Sequence, residues 1–131
     1  MIGKSKICSA NNAHAYTHEE QYYEEYYFSA LDIYFNLSNY EGYSLTTLEA
    51  MSLGVPVISS DLNGVFYDNK DKNLARVKDI SDKNEVVFLT KKILLDNVFR
   101  EQIIKSGHNI ISNNSWSKVA KKYDMIYSNY L

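Results

Sequence analysis

The chain has 131 residues, of which 45% are hydrophobic and 23% are charged, and its formal net charge is -2. This length and apolar content suffice for one ordinary hydrophobic core, so residues 1–131 are expected to form a single domain. The slightly acidic balance provides no basic surface for nucleic acid, and no apolar run approaches the ~20 residues of a membrane-spanning helix.

The cysteine and histidine residues do not suggest a metal site or a disulfide framework. Cys8 is the single cysteine, and a reducing cytoplasm is therefore the expected location. The three histidines are scattered, and His14 and His18 suit surface or capping positions better than a pair of metal ligands. We expect no metal and no cofactor.

The amino-terminal third predicts a weak strand followed by a helix. A short strand is expected over residues 5–9 and a polar loop over residues 11–16. Thr17 and Glu20 have the spacing of a capping box, which predicts a helix from there to about Ala30. One tyrosine stripe of this helix is expected to pack against a sheet, and it contains Tyr22, Tyr23, Tyr26 and Tyr27.

The centre of the chain predicts a strand, a turn, a helix and a second strand. Residues 33–37 are mostly apolar and rich in strand formers, as expected of a strand covered on both faces, although Asn36 is unusual inside it. Gly42 is expected to take a backbone conformation that residues with a Cβ avoid. Ser44 is a good N-cap for a helix from about Leu45 to Leu53, which Gly54 would end.

The second strand is expected over residues 55–59, with Pro56 near its start, where a missing N–H is tolerated. Strand, helix and strand with short connections form the βαβ unit of a parallel sheet. The N-terminus of its helix faces the space beyond the carboxyl end of the first strand, where open α/β sheets bind ligands and where free N–H groups favour an anion such as phosphate.

After Asp61 the pattern becomes less regular. Asn63-Gly64 and residues 68–73 predict a turn and a solvated loop, and residues 74–77 an edge strand. Three helices are then expected, beginning at about Asp82, after a break near Asp96, and at about Ser115. Their apolar faces contain Val86, Leu89, Ile93 and Leu94, then Val98, Phe99, Ile103 and Ile104, and finally Val119, Tyr123, Ile126, Tyr127 and Tyr130.

The central residues also carry a family resemblance. Asp32-Ile33-Tyr34, Ser38, Glu41 to Leu45, Leu48 to Met51, Gly54 to Ile58 and Ser60-Asp61 follow one another in the order found in one enzyme family. The string closely resembles the nucleotide-sugar half of the group 1, glycogen-synthase-like glycosyltransferases, which have the GT-B fold and retain anomeric configuration. Two glutamates separated by seven residues would be a weak signal alone, but within the whole string the signal is strong.

The resemblance implies an α/β fold with a Rossmann-like parallel sheet flanked by helices, as an incomplete carboxy-terminal half of a GT-B fold. A GT-B enzyme has two such domains, with the reaction in the cleft between them, and needs on the order of 200 to 300 residues or more. Residues 1–131 are therefore expected to be one donor-binding domain that lacks its own first part and the amino-terminal acceptor domain.

The resemblance also implies roles for particular residues. Glu41 is the candidate catalytic residue and would face the donor sugar together with Gly42 and Tyr43. Backbone N–H groups near Ser44, Leu45 and Thr46 would hold phosphate oxygens. Glu49 would accept hydrogen bonds from the two ribose hydroxyls. The family requires no divalent metal, and the expected donor is a UDP-, GDP- or ADP-sugar.

Other parts of the family pattern are missing. The family neutralises the diphosphate with an Arg and a Lys upstream of the first glutamate, and Lys4 and Lys6 do not match their positions. We therefore expect negligible transfer by this chain alone. In the family the last helix braces the amino-terminal domain, so the stripe on the last helix here would either favour self-association or pack on its own domain.

Three hypotheses remain open from the sequence. The first is the donor-binding portion of a retaining hexosyltransferase acting on a glycan or glycolipid, as a fragment or as half of a split enzyme whose partner supplies the acceptor domain. Such a partner would also provide any peripheral membrane location. The second is a non-catalytic remnant or a nucleotide-sugar-binding module without transfer activity. The third is a flavodoxin-like or receiver-like interaction domain, which is disfavoured because residues 5–16 contain no carboxylate.

Overall fold

A computed structural model describes residues 26–69 and 73–130 of the chain. The expected strand at residues 5–9, the capping box at Thr17, and Tyr22, Tyr23, Cys8, His14 and His18 lie outside these residues. The described part has three strands and five complete helices. They are β1 (Tyr34–Asn36), α1 (Leu45–Ser52), β2 (Val57–Ser60), α2 (Gly64–Asp68), β3 (Ala75–Val77), α3 (Lys83–Leu95), α4 (Asn97–Asn113) and α5 (Trp116–Ser128).

The strands form one parallel sheet in the order β1-β2-β3. Phe35 pairs with Ile58, and Ile58 pairs with Ala75, so β2 is the central strand of the described sheet. A parallel sheet with helices in its connections is the α/β, Rossmann-like architecture that the sequence predicts. Within the described sheet β3 is an edge strand, as predicted, and β1, α1 and β2 form the predicted βαβ unit.

The core lies on both faces of β2, all four residues of which are buried. Val57 belongs to a cluster with Ala50 and Met51 of α1 and with Phe66 of α2. The next residue, Ile58, belongs to a second cluster built mainly with β3, α3 and α4, which contains Ala75, Val77, Ile93 and Ile103. Successive residues of a strand point to opposite faces, so one strand organises both halves of the core.

β1 does not have the cover that its apolar sequence predicts. Phe35 is 44% exposed, whereas Asn36 is buried. The expectation of a strand covered on both faces is therefore wrong for β1, which is an edge strand of the described sheet, and correct for β2. The prediction that the tyrosine stripe packs against the sheet is also wrong for its two described members, since Tyr26 and Tyr27 are exposed. Phe28 packs instead, edge-on against Tyr34 with ring centroids 5.5 Å apart.

α3 and α4 begin close to the positions that the sequence predicts, and an aspartate caps each of them. Asp82 accepts hydrogen bonds from two backbone N–H groups at the start of α3. Asp96 both ends α3 and caps α4, where its side chain accepts from the N–H of Phe99.

The predicted apolar faces of α3 and α4 are buried only in part. Ile93 and Ile103 are buried as expected, but Leu94 and Val98 are largely exposed. Before α3, the hydroxyl and N–H of Ser81 donate to Asp79 and lower the pKa of this exposed carboxyl.

The last helix, α5, stands apart from the core. None of its residues is buried, and Tyr123, Ile126 and Tyr127 are each more than half exposed. Of the two arrangements that the sequence left open, packing of the stripe onto its own domain is therefore not found in the described structure. The aromatic stripe lies on the surface.

The segment after Asp61 differs from its prediction as a turn and solvated loop. Asn63 is fully buried and caps the short helix α2, with its side-chain oxygen accepting from the N–H of Val65 at 3.0 Å. Val65 and Phe66 are completely buried in the first core cluster. The prediction of a turn was wrong. Asn-Gly is a common turn signal, but the burial of the apolar pair Val65-Phe66 in the core makes this segment the start of a helix.

The glycines also correct the sequence analysis. Among the described residues the positive φ belongs to Gly54, at +73°, which ends α1 as predicted. Gly42 has no positive φ, and a Cβ there would meet nothing within 4 Å. The restricted position is Gly64, whose N–H donates to the Gly42 carbonyl at 2.8 Å. A Cβ on Gly64 would lie 2.0 Å from that same oxygen.

This contact predicts opposite outcomes for two alanine substitutions. Gly64→Ala should lower the free energy of unfolding by about 1 to 3 kcal/mol, because the new methyl group must push two backbone segments apart. Gly42→Ala, in open space on the other side of the same hydrogen bond, should change it by less than about 0.5 kcal/mol. Urea denaturation measures both. Equal losses in the two variants would contradict the assigned close approach.

Candidate functional site

The candidate site lies at the carboxyl ends of β1 and β2. Asn36 ends β1, and the chain then passes through Glu41 and Gly42 to reach α1 at Leu45. Ser60 ends β2, and the following turn leads to Asn63. An isolated parallel bridge between Glu41 and Asn63 joins the two loops side by side. The edge of the sheet at which α/β folds bind ligands is thus formed by two tethered segments.

The start of α1 is capped by Ser44 as the sequence predicts. Ser44 is in an extended conformation and its Oγ accepts a hydrogen bond from the N–H of Thr47 at 3.3 Å. The hydroxyls of Ser44 and Thr46 lie 3.1 Å apart, and Tyr34 donates to Thr46 at 2.9 Å. The helix therefore begins at a fixed place. The N–H groups of its first two residues have no partner within the helix and carry the positive end of its dipole.

Glu41 is half-buried and is held by a side chain of β1. Asn36 donates from Nδ2 to Glu41 Oε2. The same nitrogen lies 3.0 Å from Ser44 Oγ and 3.1 Å from Thr47 Oγ1. Since Nδ2 carries two hydrogens, it serves two of these three oxygens at a time. The first glutamate of the motif is thereby connected to the N-cap of α1.

The orientation of the Asn36 amide follows from its partners. An ionised carboxylate only accepts hydrogen bonds, so the nitrogen of the amide must face Glu41. The amide oxygen then faces Ser38, whose hydroxyl donates to it at 3.0 Å. The hydroxyls of Ser44 and Thr47 can rotate and so accept from the amide. Asn36 is unusual for a strand because its buried side chain forms hydrogen bonds with the loop after β1 and with the start of α1.

Asn63 extends this network to the second strand. Its Nδ2 donates to Thr47 Oγ1 at 3.1 Å and to Ser59 Oγ at 3.0 Å. Ser59 in turn donates to the backbone carbonyl of Asn36 at 3.0 Å. Buried polar groups persist only when they are hydrogen-bonded, and every buried side-chain nitrogen and oxygen in the described residues has a partner.

The other predicted residues lie on the exposed side of this network. Leu45, Thr46 and Glu49 are exposed and share one face of α1, whereas Thr47, Ala50 and Met51 form its buried face. Glu49 is one helical turn beyond Leu45 and does not join the polar network around Glu41. Tyr43 is 42% exposed, and its ring lies 3.5 Å from the position of a Cβ built on Gly64.

Sequence analysis did not identify several residues that build the site. The sequence marks Asn36 only as unusual and Asn63 only as part of a turn, and it indicates no role in the site for Thr47 or Ser59. A buried polar residue inside an apolar strand was the available signal for Asn36, because it requires a partner. Arg76 of β3 was also missed. It forms an ion pair with Asp61 at 3.0 Å, and its guanidinium lies 5.5 Å from the Phe66 ring centroid.

The described residues contain neither a cluster of metal-ligating side chains nor a membrane-spanning helix. Within residues 26–69 and 73–130 no three His, Cys, Asp or Glu residues are grouped so that they could hold a metal ion. In the same part of the chain, none of the helices has the length and apolar character needed to cross a bilayer.

The open parallel sheet flanked by helices defines an α/β, Rossmann-like domain, as the resemblance implies. Comparison with known families agrees, because the model of the glycosyl transferases of group 1 matches residues 6–124. The chain therefore belongs to the group 1 glycosyltransferase family, and its fold is that of a Rossmann-like GT-B half.

Two individual proteins show how similar this chain is to its relatives. An O-antigen biosynthesis glycosyltransferase, WclY, of Escherichia coli is 30% identical over 121 residues, which are 86% of this chain and 32% of that protein. A phosphatidyl-myo-inositol mannosyltransferase of Mycobacterium leprae (strain TN) is 25% identical over 87 residues, which are 66% of this chain and 23% of that protein. The matched region thus spans about a third or less of the length of these relatives.

The network predicts a large effect of one buried amide on stability. Asn63→Ala removes the cap of α2 and two buried hydrogen bonds, so it should lower the free energy of unfolding by about 2 to 4 kcal/mol. Asn84→Ala, in the exposed first turn of α3, is the matched control and should change it by less than about 0.5 kcal/mol. Chemical denaturation compares the two. A similarly small loss for Asn63→Ala would show that the amide does not hold the two loops.

Proposed function

We propose that this chain forms the donor-binding part of a retaining hexosyltransferase that uses a nucleotide-diphosphate sugar. The observation that carries the proposal is the pairing of Glu41, held by Asn36, with the capped N-terminus of α1 at the carboxyl edge of the sheet. A sugar diphosphate needs an anion site and, next to it, acceptors for sugar hydroxyls. In this proposal the N-terminus of α1 would supply the first and the neighbouring Glu41 carboxylate the second.

The proposed roles follow from the chemistry of each group. The first N–H groups of α1, at Leu45 and Thr46, would donate to diphosphate oxygens, aided by the helix dipole. Glu41, beside Gly42 and Tyr43, would accept hydrogen bonds from hydroxyls of the donor sugar and act at the catalytic centre. Glu49, exposed on the same helix, would bind the two ribose hydroxyls through its two carboxylate oxygens.

The acceptor is proposed to be a glycan or a glycolipid. Two relatives support this class, since one is an O-antigen biosynthesis glycosyltransferase and another is a phosphatidyl-myo-inositol mannosyltransferase. Because these relatives are about three or more times as long as the matched region, we propose that the acceptor site is contributed by protein outside residues 1–131. A cytoplasmic location, with any membrane association through such a partner, belongs to the same proposal.

The ribose assignment predicts the effect of one substitution. Glu49→Gln should weaken binding of the nucleotide sugar by about 1.5 to 3 kcal/mol, or roughly tenfold or more, because a charge-assisted hydrogen bond is lost. The variant should keep its melting temperature, since Glu49 is exposed. Titration of the purified chain with a panel of UDP-, GDP- and ADP-sugars, followed by thermal shift and calorimetry, measures the affinity.

Glu101→Gln is the matched control, because it removes the same charge from an exposed position on α4. It should bind like the unsubstituted chain. Detectable binding that is unchanged in Glu49→Gln would refute the ribose assignment. Failure of the folded, unsubstituted chain to bind any member of the panel would favour the non-catalytic remnant.

A further inference from the structure

The Asn36 amide is the buried group through which the sheet contacts Glu41. Asn36 is 7% exposed, and both ends of its amide are engaged. Its nitrogen faces Glu41, Ser44 and Thr47, and its oxygen accepts from Ser38. Every one of these partners lies in or beside the loop that carries Glu41. A polar residue placed this way contributes little to an apolar core, so its contacts with that loop are its main effect.

We propose that Asn36 is a positioning residue that fixes the Glu41 carboxylate for recognition of the donor sugar. The inference rests on the proposed function, because it assumes that Glu41 contacts the sugar and not the nucleotide. It adds a residue that the motif does not contain and a physical means by which the sheet controls the site.

The restraint acts at one carboxylate oxygen. Glu41 Oε2 accepts from Asn36, and the half-buried carboxylate keeps Oε1 as an acceptor for a sugar hydroxyl. A glutamate side chain that rotates freely must lose that freedom when ligand binds. Holding it beforehand removes this cost from binding and sets the direction from which a hydroxyl can approach.

The position of the amide is itself fixed from the second strand. Thr47 Oγ1 lies 3.1 Å from Asn36 Nδ2 and also 3.1 Å from Asn63 Nδ2. Asn63 is tied to Ser59 of β2, and Ser59 donates to the Asn36 carbonyl. The orientation of Glu41 is thus determined by β1, β2 and the cap of α1 together, which is the rigid support that a binding group requires.

The first test separates positioning from general loss of structure. Asn36→Leu should reduce the preference for a nucleotide sugar over the matching nucleoside diphosphate by about tenfold, while affinity for the diphosphate changes less than about twofold. Ile110→Ala, which removes a buried side chain of α4 distant in sequence from Glu41, is the control for lowered stability. It should keep the preference. Asn36→Ala replaces Asn36→Leu if the latter does not fold.

A second test needs no ligand, because it exchanges donor and acceptor within the pair. Asn36→Asp places two carboxylates in contact and should lower the Tm by several degrees. Adding Glu41→Gln restores one amide and one carboxylate, and the hydroxyls of Ser44 and Thr47 can rotate to donate. Glu41→Gln should therefore raise the Tm when it is added to Asn36→Asp, and lower it or leave it unchanged in the unsubstituted chain. Glu101→Gln, the control, should change the Tm by the same amount in the Asn36→Asp variant and in the unsubstituted chain.

The outcomes distinguish the two proposals. Lost sugar preference in Asn36→Leu, together with rescue by Glu41→Gln, supports the positioning role. A retained preference overturns it even if the rescue is seen. Absence of rescue overturns the Asn36–Glu41 pairing itself. If the unsubstituted chain binds no nucleotide sugar, the proposed function fails and the sugar-positioning role fails with it, whereas the rescue still decides whether Asn36 holds Glu41.

Discussion

The hydrogen bonds of two buried asparagines hold the functional edge of this domain together. Asn36 ends β1 and Asn63 lies three residues beyond the end of β2, and the side-chain nitrogen of each lies 3.1 Å from the Thr47 hydroxyl on the buried face of α1. Parallel strands place their carboxyl ends at one edge, but the loops there lack the continuous backbone ladder of the strands. Side-chain amides, with two donors and one acceptor each, provide those partners in a small volume. The Gly64–Gly42 backbone contact is consistent with the same requirement, since it brings the two loops within hydrogen-bonding distance.

This arrangement explains why the two motif glutamates differ in environment. Glu41 is half-buried and joined to the network, so its geometry depends on the sheet. Glu49 lies on the exposed face of α1, and its position depends only on where the helix begins. That starting point is set by Ser44, which contacts the same Asn36 amide. Glu41 therefore contacts the Asn36 amide directly, whereas the cap of α1 lies between this amide and Glu49.

The surface of the domain shows a second contrast. The core around β2 is closed, yet α5 exposes a stripe of tyrosines and an isoleucine and buries none of its residues. An apolar stripe of this size on a surface helix is typical of a face that is covered in an assembly or in a longer chain.

The sequence by itself determined the elements whose signals are local. Side chains acting within a few residues predict the cap at Ser44, the helix starts near Asp82 and Asp96 and the helix stop at Gly54. The order of the strands and of the helices other than α2 follows from such local signals, and the motif sufficed for the family. Tertiary structure decided what depends on distant partners. Asn63-Gly64 has the local signature of a turn, but the burial of Val65 and Phe66 against α1 and β2 makes it a helix start. Tyr26 and Phe35 are large aromatic residues of the kind that pack in a core, but nothing in the described fold covers them fully. The partners of Asn36 lie mostly in the following loop and on α1, and those of Asn63 partly on another element. No periodic pattern encodes such contacts, because they exist only once the strand ends have been brought together.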